Sequence, residues 1–81
     1  MNTKIRLKMI LKLLGTEFGN TLFIETNKNK SFEIQKLNDN FEITESFENE
    51  YESFYKDNID EVVNYIVEKE VELNLELKII I

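Results

Sequence analysis

Three short stretches in the first half of the chain alternate apolar and polar residues one for one, and the gaps between them hold little more than tight turns. Residues 21–26, 31–37 and 41–47 are rich in β-branched and aromatic side chains, a composition that suits a pleated, half-buried surface. The first gap holds Asn27, Lys28, Asn29 and Lys30, and the second Asn38, Asp39 and Asn40. Asn and Asp accept the positive φ that short hairpin loops demand, so the pattern predicts a three-stranded antiparallel meander. Side chains two apart share a face. Phe32 and Ile34, then Phe41, Ile43 and Phe47, are expected to point inward, and Glu33 and Glu42 outward.

A sheet with one apolar face needs a cover, and the flanking segments supply it. In residues 4–14, Ile5, Met9 and Leu13 recur at every fourth position with Leu7, Leu11 and Leu14 beside them, the period of an amphipathic helix, which Gly15 would close. After the meander, Tyr51, Ser53 and Tyr55 allow a fourth, edge strand. Asn58 and Glu61 have the spacing of a capping box, and Asp60 suits the positive end of a helix dipole. Ile59, Val62, Val63, Ile66 and Val67 continue as one stripe, predicting a second helix over residues 59–70. Val71, Leu73, Leu75, Leu77 and Ile79 then alternate with Glu72, Asn74, Glu76 and Lys78. That period of two predicts a C-terminal strand. Glu and Leu favour helix, so continuation of the helix to about residue 76 is the alternative. The expected fold is α+β in a single domain spanning residues 1–81: an N-terminal helix, a three- to four-stranded antiparallel meander, a second helix and a C-terminal strand. Phe32, Ile34, Phe41, Ile43, Ile59, Val63 and Ile66 would form its core.

The chemistry open to such a chain is narrow. It has no His and no Cys, which removes the usual partners of an activated nucleophile. Ser31, Ser46 and Ser53 lie in no glycine-bounded elbow, and Gly15 and Gly19, the only two glycines, do not make a phosphate-binding loop. Asp57, Asp60 and Glu61 could approach a hard cation, but the EF-hand spacing is not met and helix capping accounts for all three. No catalytic activity, metal or cofactor is expected. The longest apolar run is three residues, against the roughly 20 a membrane helix needs. Lys8 and Lys12 also interrupt anything resembling a signal-peptide core. Ten Asn, ten Ile, nine Lys and no Ala or Pro follow AT-rich codon usage. Together with the missing cysteines, this points to the cytoplasm of a low-GC bacterium, or to a phage or mobile element within one.

Charge is the feature that bears on function. The net charge is −6, distributed unevenly: residues 1–40 carry seven basic against four acidic side chains, a balance of +3, and residues 41–81 carry three against twelve, a balance of −9. The order helix, three strands, helix is also that of the double-stranded RNA-binding domain. Here, however, the second helix opens with Asp57, Asp60 and Glu61, and the early basic residues alternate with apolar ones, so direct nucleic-acid binding is not expected. Between Phe41 and Tyr55, Glu42, Glu45, Glu48, Glu50 and Glu52 alternate with apolar and aromatic residues. One reading is a solvated edge strand. The other is an interaction surface in which carboxylates spaced along an extended chain resemble phosphates and Tyr51, Phe54 and Tyr55 act as aromatic anchors.

The segment Glu42-Ile-Thr-Glu-Ser-Phe-Glu-Asn-Glu50 resembles the acidic strand of small phage-encoded anti-CRISPR proteins that block an RNA-guided nuclease by occupying its DNA-binding surface. The resemblance implies a basic, nucleic-acid-handling protein as partner. It departs from the present chain in the missing Trp and in the alternating apolar strand at the end. Glu42, Glu45, Glu48, Glu50, Tyr51, Glu52, Phe54, Tyr55, Asp57, Asp60 and Glu61 are the candidate partner-binding residues, with Glu42, Glu48, Glu50 and Glu52 on one side if the chain stays extended. The competing expectation is an assembly module, a homodimer formed through the apolar C-terminal strand.

Overall fold

A computed structural model describes residues 2–14 and 20–80. The proposed helix stop at Gly15 lies outside the described residues. The elements run α1 (Thr3–Leu14), β1 (Thr21–Thr26), β2 (Lys30–Lys36), β3 (Phe41–Phe47), β4 (Glu50–Lys56), α2 (Ile59–Glu72) and β5 (Leu77–Ile80). The five strands form one antiparallel sheet in the order β4-β3-β2-β1-β5. This is the expected α+β arrangement, with the fourth strand present and the last strand added beside the first.

Turn chemistry fixes the register. Between β1 and β2, Asn29 takes φ 58°, the left-handed residue that closes a three-residue hairpin loop, and Thr26 Oγ1 accepts from the backbone N–H of Lys28. Glu25 then faces Ser31 and Ile24 faces Phe32. Between β3 and β4 only Glu48 and Asn49 intervene, Glu48 at φ 56°, and Phe47 faces Glu50. A two-residue loop with positive φ at its first position is a hairpin turn that glycine usually occupies.

Alternation sorts the sheet into two faces. Leu22, Ile24, Phe32, Ile34, Phe41 and Ile43 lie on one and are buried under α1 and α2, which contribute Leu7, Leu11, Val62, Val63 and Ile66 to the same core. Burial of this kind is worth about 1.5–3 kcal/mol for each large aliphatic or aromatic side chain. The opposite face is open and mixes polar side chains with Phe23, Tyr51 and Tyr55. Across it Thr44 Oγ1 and Ser53 Oγ lie 3.0 Å apart, and Ser31 and Ser46 are hydrogen-bonded through their hydroxyls.

The two helices run antiparallel, tied near both ends of α2. Thr3 Oγ1 donates to Glu70 Oε2 at 2.8 Å, and Lys8 Nζ lies 2.9 Å from Asp60 Oδ1. In α1 the buried stripe is Leu7 and Leu11. The fourfold series Ile5, Met9 and Leu13 is 51%, 51% and 79% exposed, so of the two apolar stripes on α1 the core takes the other one.

The segment after α2 departs from the expected strand. The helix runs to Glu72, leaving Val71 on its exposed side. Asn74 adopts φ 52°, the N–H of Leu75 bonds to Glu70 O and that of Asn74 to Val71 O. These two bonds around a left-handed residue make a Schellman ending. Lys28 Nζ adds a third donor, 2.8 Å from Leu73 O. Leu75 drops into the core, and the strand is only Leu77–Ile80, with Ile79 opposite Ile24. The period of two across residues 71–79 is thus shared between a helix end, a turn and a short strand.

Candidate partner-binding edge

Strand β4 borders the sheet, bonded to β3 on one side and open on the other. Its register with β3 is unbroken from Phe41 opposite Lys56 to Phe47 opposite Glu50. Directly opposed residues share a face, so Glu50, Glu52, Phe54 and Lys56 project to the helix side with Phe47, Glu45, Ile43 and Phe41. Tyr51, Ser53 and Tyr55 project to the open side. The two tyrosines are 75% and 60% exposed, more than any buried role would allow.

The hairpin at Glu48 and Asn49 overturns the one-sided reading of the acidic segment. The chain does not stay extended from Glu42 to Glu52. The reversal places Glu42 beside Tyr55 on the open face, while Glu50 and Glu52 lie on the helix side and Glu48 sits in the turn.

The remaining candidates separate further. Glu45 is held between two partners: Tyr65 Oη donates to its Oε1 at 2.7 Å, and Lys30 Nζ lies 3.3 Å from Oε2, both side chains largely covered. Phe54 is half-buried against Tyr65, ring centroids 4.7 Å apart at an edge-on angle. Asp57, Asp60 and Glu61 stand at the far end of β4, about 20 Å from the hairpin at ~3.3 Å per residue. There the expected cap forms: Asn58 Oδ1 accepts from Glu61 N at 2.9 Å, and Glu61 Oε2 accepts from Asp57 N at 2.7 Å. The hydrogen bond and charge of Lys8 hold the Asp60 carboxyl below the usual carboxylate range.

What remains is an acidic edge around the β3–β4 hairpin. Among the described residues no cation lies within ion-pairing distance of Glu48, Glu50 or Glu52. The sequence reading passed over two contributors on α2. Tyr65 carries Lys56 and Lys69 over its ring at 5.3 and 5.6 Å. Burial, the bond to Glu45 and the charges of Glu45, Glu52 and Glu72 all push its hydroxyl up from the ordinary tyrosine range. Glu72 itself pairs with Lys69 at 3.9 Å. The spacing of Tyr65, Lys69 and Glu72 at i, i+4 and i+7 places them on one helix face, which was the signal available in sequence.

Among the described residues no three acidic side chains converge as a metal site, and no helix is long and apolar enough to cross a membrane. The hollows near the edge are shallow: one of about 370 Å³ lies between Phe47, Leu73 and Leu75 under Lys28 and Lys30. The edge can therefore offer charge, aromatic surface and unpaired backbone groups. No family model, curated protein or solved structure matches the chain.

Proposed function

We propose that this chain is a non-catalytic binding protein whose acidic hairpin edge docks on a basic, nucleic-acid-handling protein and excludes nucleic acid from it. The observation that carries this reading is the set of carboxylates on Glu48, Glu50 and Glu52, which are exposed and have no cation within ion-pairing distance among the described residues. Like charges held on a sheet edge keep their spacing before binding, so little ordering cost accompanies association. The field they set up attracts a basic groove and repels nucleic acid. The cytoplasm of a bacterial host is the setting in which such a partner is met, and the anti-CRISPR resemblance favours an RNA-guided DNA nuclease as the first to test.

Fluorescence anisotropy of a labelled duplex bound to such a nuclease provides the measurement. The parent protein should displace the duplex, with an inhibition constant that weakens steeply between about 50 and 300 mM salt as screening shortens the field. Glu48→Lys with Glu52→Lys should weaken displacement by about tenfold or more while leaving the fold intact, since exposed charges add only about 0–1 kcal/mol to stability. Equal displacement by parent and double variant would remove the acidic edge from the mechanism.

A further inference from the structure

The open side of β4 has a chemistry of its own, set by backbone phase. In an antiparallel pair, alternate residues turn their N–H and C=O groups toward the neighbour. Glu48 N bonds across to Asn29 O, and Leu37 N to Asn40 O. These bonds direct the even residues of β3 toward β2 and the odd residues, from Phe41 to Phe47, toward β4. Their β4 partners are Lys56, Phe54, Glu52 and Glu50. Tyr51, Ser53 and Tyr55 consequently turn their backbone groups outward, away from the sheet.

Such an edge invites another strand unless something blocks it. The chain contains no proline, and no bulge interrupts the β3–β4 register. The side chains decide which strand fits. Glu50–Lys56 is seven residues long with Ser53 at its centre, so a two-fold antiparallel pairing of two copies centred there uses the whole strand. It sets Ser53 opposite the partner's Ser53, with the outward-turned residues opposed to one another. On the helix side Glu50 falls opposite the partner's Lys56, at both ends of the pairing. On the open side Tyr51 falls opposite the partner's Tyr55. Sliding the register two residues one way sets Glu52 against the partner's Glu52, a like-charge pair. Sliding it the other way leaves Tyr51 without an aromatic partner.

We propose that two copies of this chain pair through their β4 edges, Ser53 on Ser53, to form a continuous ten-stranded sheet with reciprocal Glu50–Lys56 ion pairs and Tyr51–Tyr55 contacts. Lys56 is already held on the correct side, its ammonium 5.7 Å from the Phe54 ring and 5.3 Å from that of Tyr65. The pairing uses Glu50 and the same edge as the docking proposed above, so the two would compete for it, and the mass measurement tests the pairing without any docking partner present. A strand pair buries less than the ~1,000 Å² of a tight interface, so the dimer is expected to be concentration-dependent, with a dissociation constant of about 1–100 µM.

Sedimentation equilibrium from about 1 µM to 1 mM reads this directly. The parent should shift from one chain mass to two. Glu50→Lys and Lys56→Glu should each weaken the dimer by about tenfold or more, by placing like charges opposite each other. The combined Glu50→Lys/Lys56→Glu protein should recover to within about threefold of the parent, because only the sign of the pair is reversed. Ser53→Pro removes an N–H that faces solvent in the single chain, a position where an edge strand tolerates proline, and should give a folded monomer. Amide exchange should slow at Tyr51, Ser53 and Tyr55 as concentration rises. A parent that stays monomeric at 1 mM overturns the proposal. So does a charge swap that fails to recover, or a dimer that Met9→Glu on α1 dissolves while Glu50→Lys does not.

Discussion

Tyr65 joins a helix to a strand through one hydroxyl. Its ring packs edge-on against Phe32 and Phe54, and its hydrogen bond to Glu45 satisfies a carboxylate that the sheet has partly covered. Bonds to charged groups are worth about 1.5–3 kcal/mol, and partial exposure lowers that range here. Tyr65→Phe should therefore cost about 1–2 kcal/mol in urea unfolding, with Lys30 still pairing Glu45. The pH dependence follows from the raised hydroxyl. A tyrosine whose pKa is higher folded than unfolded contributes stability that is whole below pH ~10 and lost as pH rises above it. The difference in stability between parent and Tyr65→Phe should accordingly shrink on going from pH 8 to pH 11. A gap that widened over that range would contradict the assignment. Its helix face was legible in sequence but its hydrogen bond was not, because the hydroxyl's partner lies twenty positions away on another element. Asn58 and Glu61 were legible, because their bond spans three.

At the level of elements, the same distinction explains what the pattern foretold and what it did not. The first two hairpins were readable because alternation and turn residues are local signals, whereas the third turns on Glu48, a residue that does not mark a turn in sequence. The choice between the two stripes of α1 was not, since Ile5, Met9, Leu13 and Leu7, Leu11 have equal periodicity and only the position of α2 selects one. The alternation over residues 71–79 misled for a related reason: Leu75 serves a Schellman turn as readily as a strand. Asn74 was the overlooked mark, a residue that tolerates the left-handed region. Asn74→Val should cost about 1–2 kcal/mol, the penalty of a branched side chain at positive φ. Glu48→Gly, at the other strained turn, should raise stability by about 0.5–1 kcal/mol. Thermal melts of the two variants should thus move in opposite directions from the parent. The acidic candidates divided along the same line. Sequence located the carboxylates, but the hairpin at Glu48 decided that Glu42 and Glu52 face opposite ways.

Across the whole molecule, the sheet is completed by its most distant partners. The β1–β5 pairing sets Ile24 against Ile79, while every other strand pair joins neighbours in sequence. Closing so long a loop costs entropy before any contact repays it, whereas the hairpins of β1 to β4 close over a few residues. The last seam to form is therefore also the first to open. Ile79→Ala should destabilise by about 2 kcal/mol, and nearly all of that should appear as unfolding faster by roughly thirtyfold, with refolding almost unchanged. Stopped-flow refolding slowed as much as unfolding is accelerated would place the seam in the folding nucleus instead. The protein's lifetime against irreversible loss would then rest less on its large central strands than on how tightly four residues at one border stay zipped.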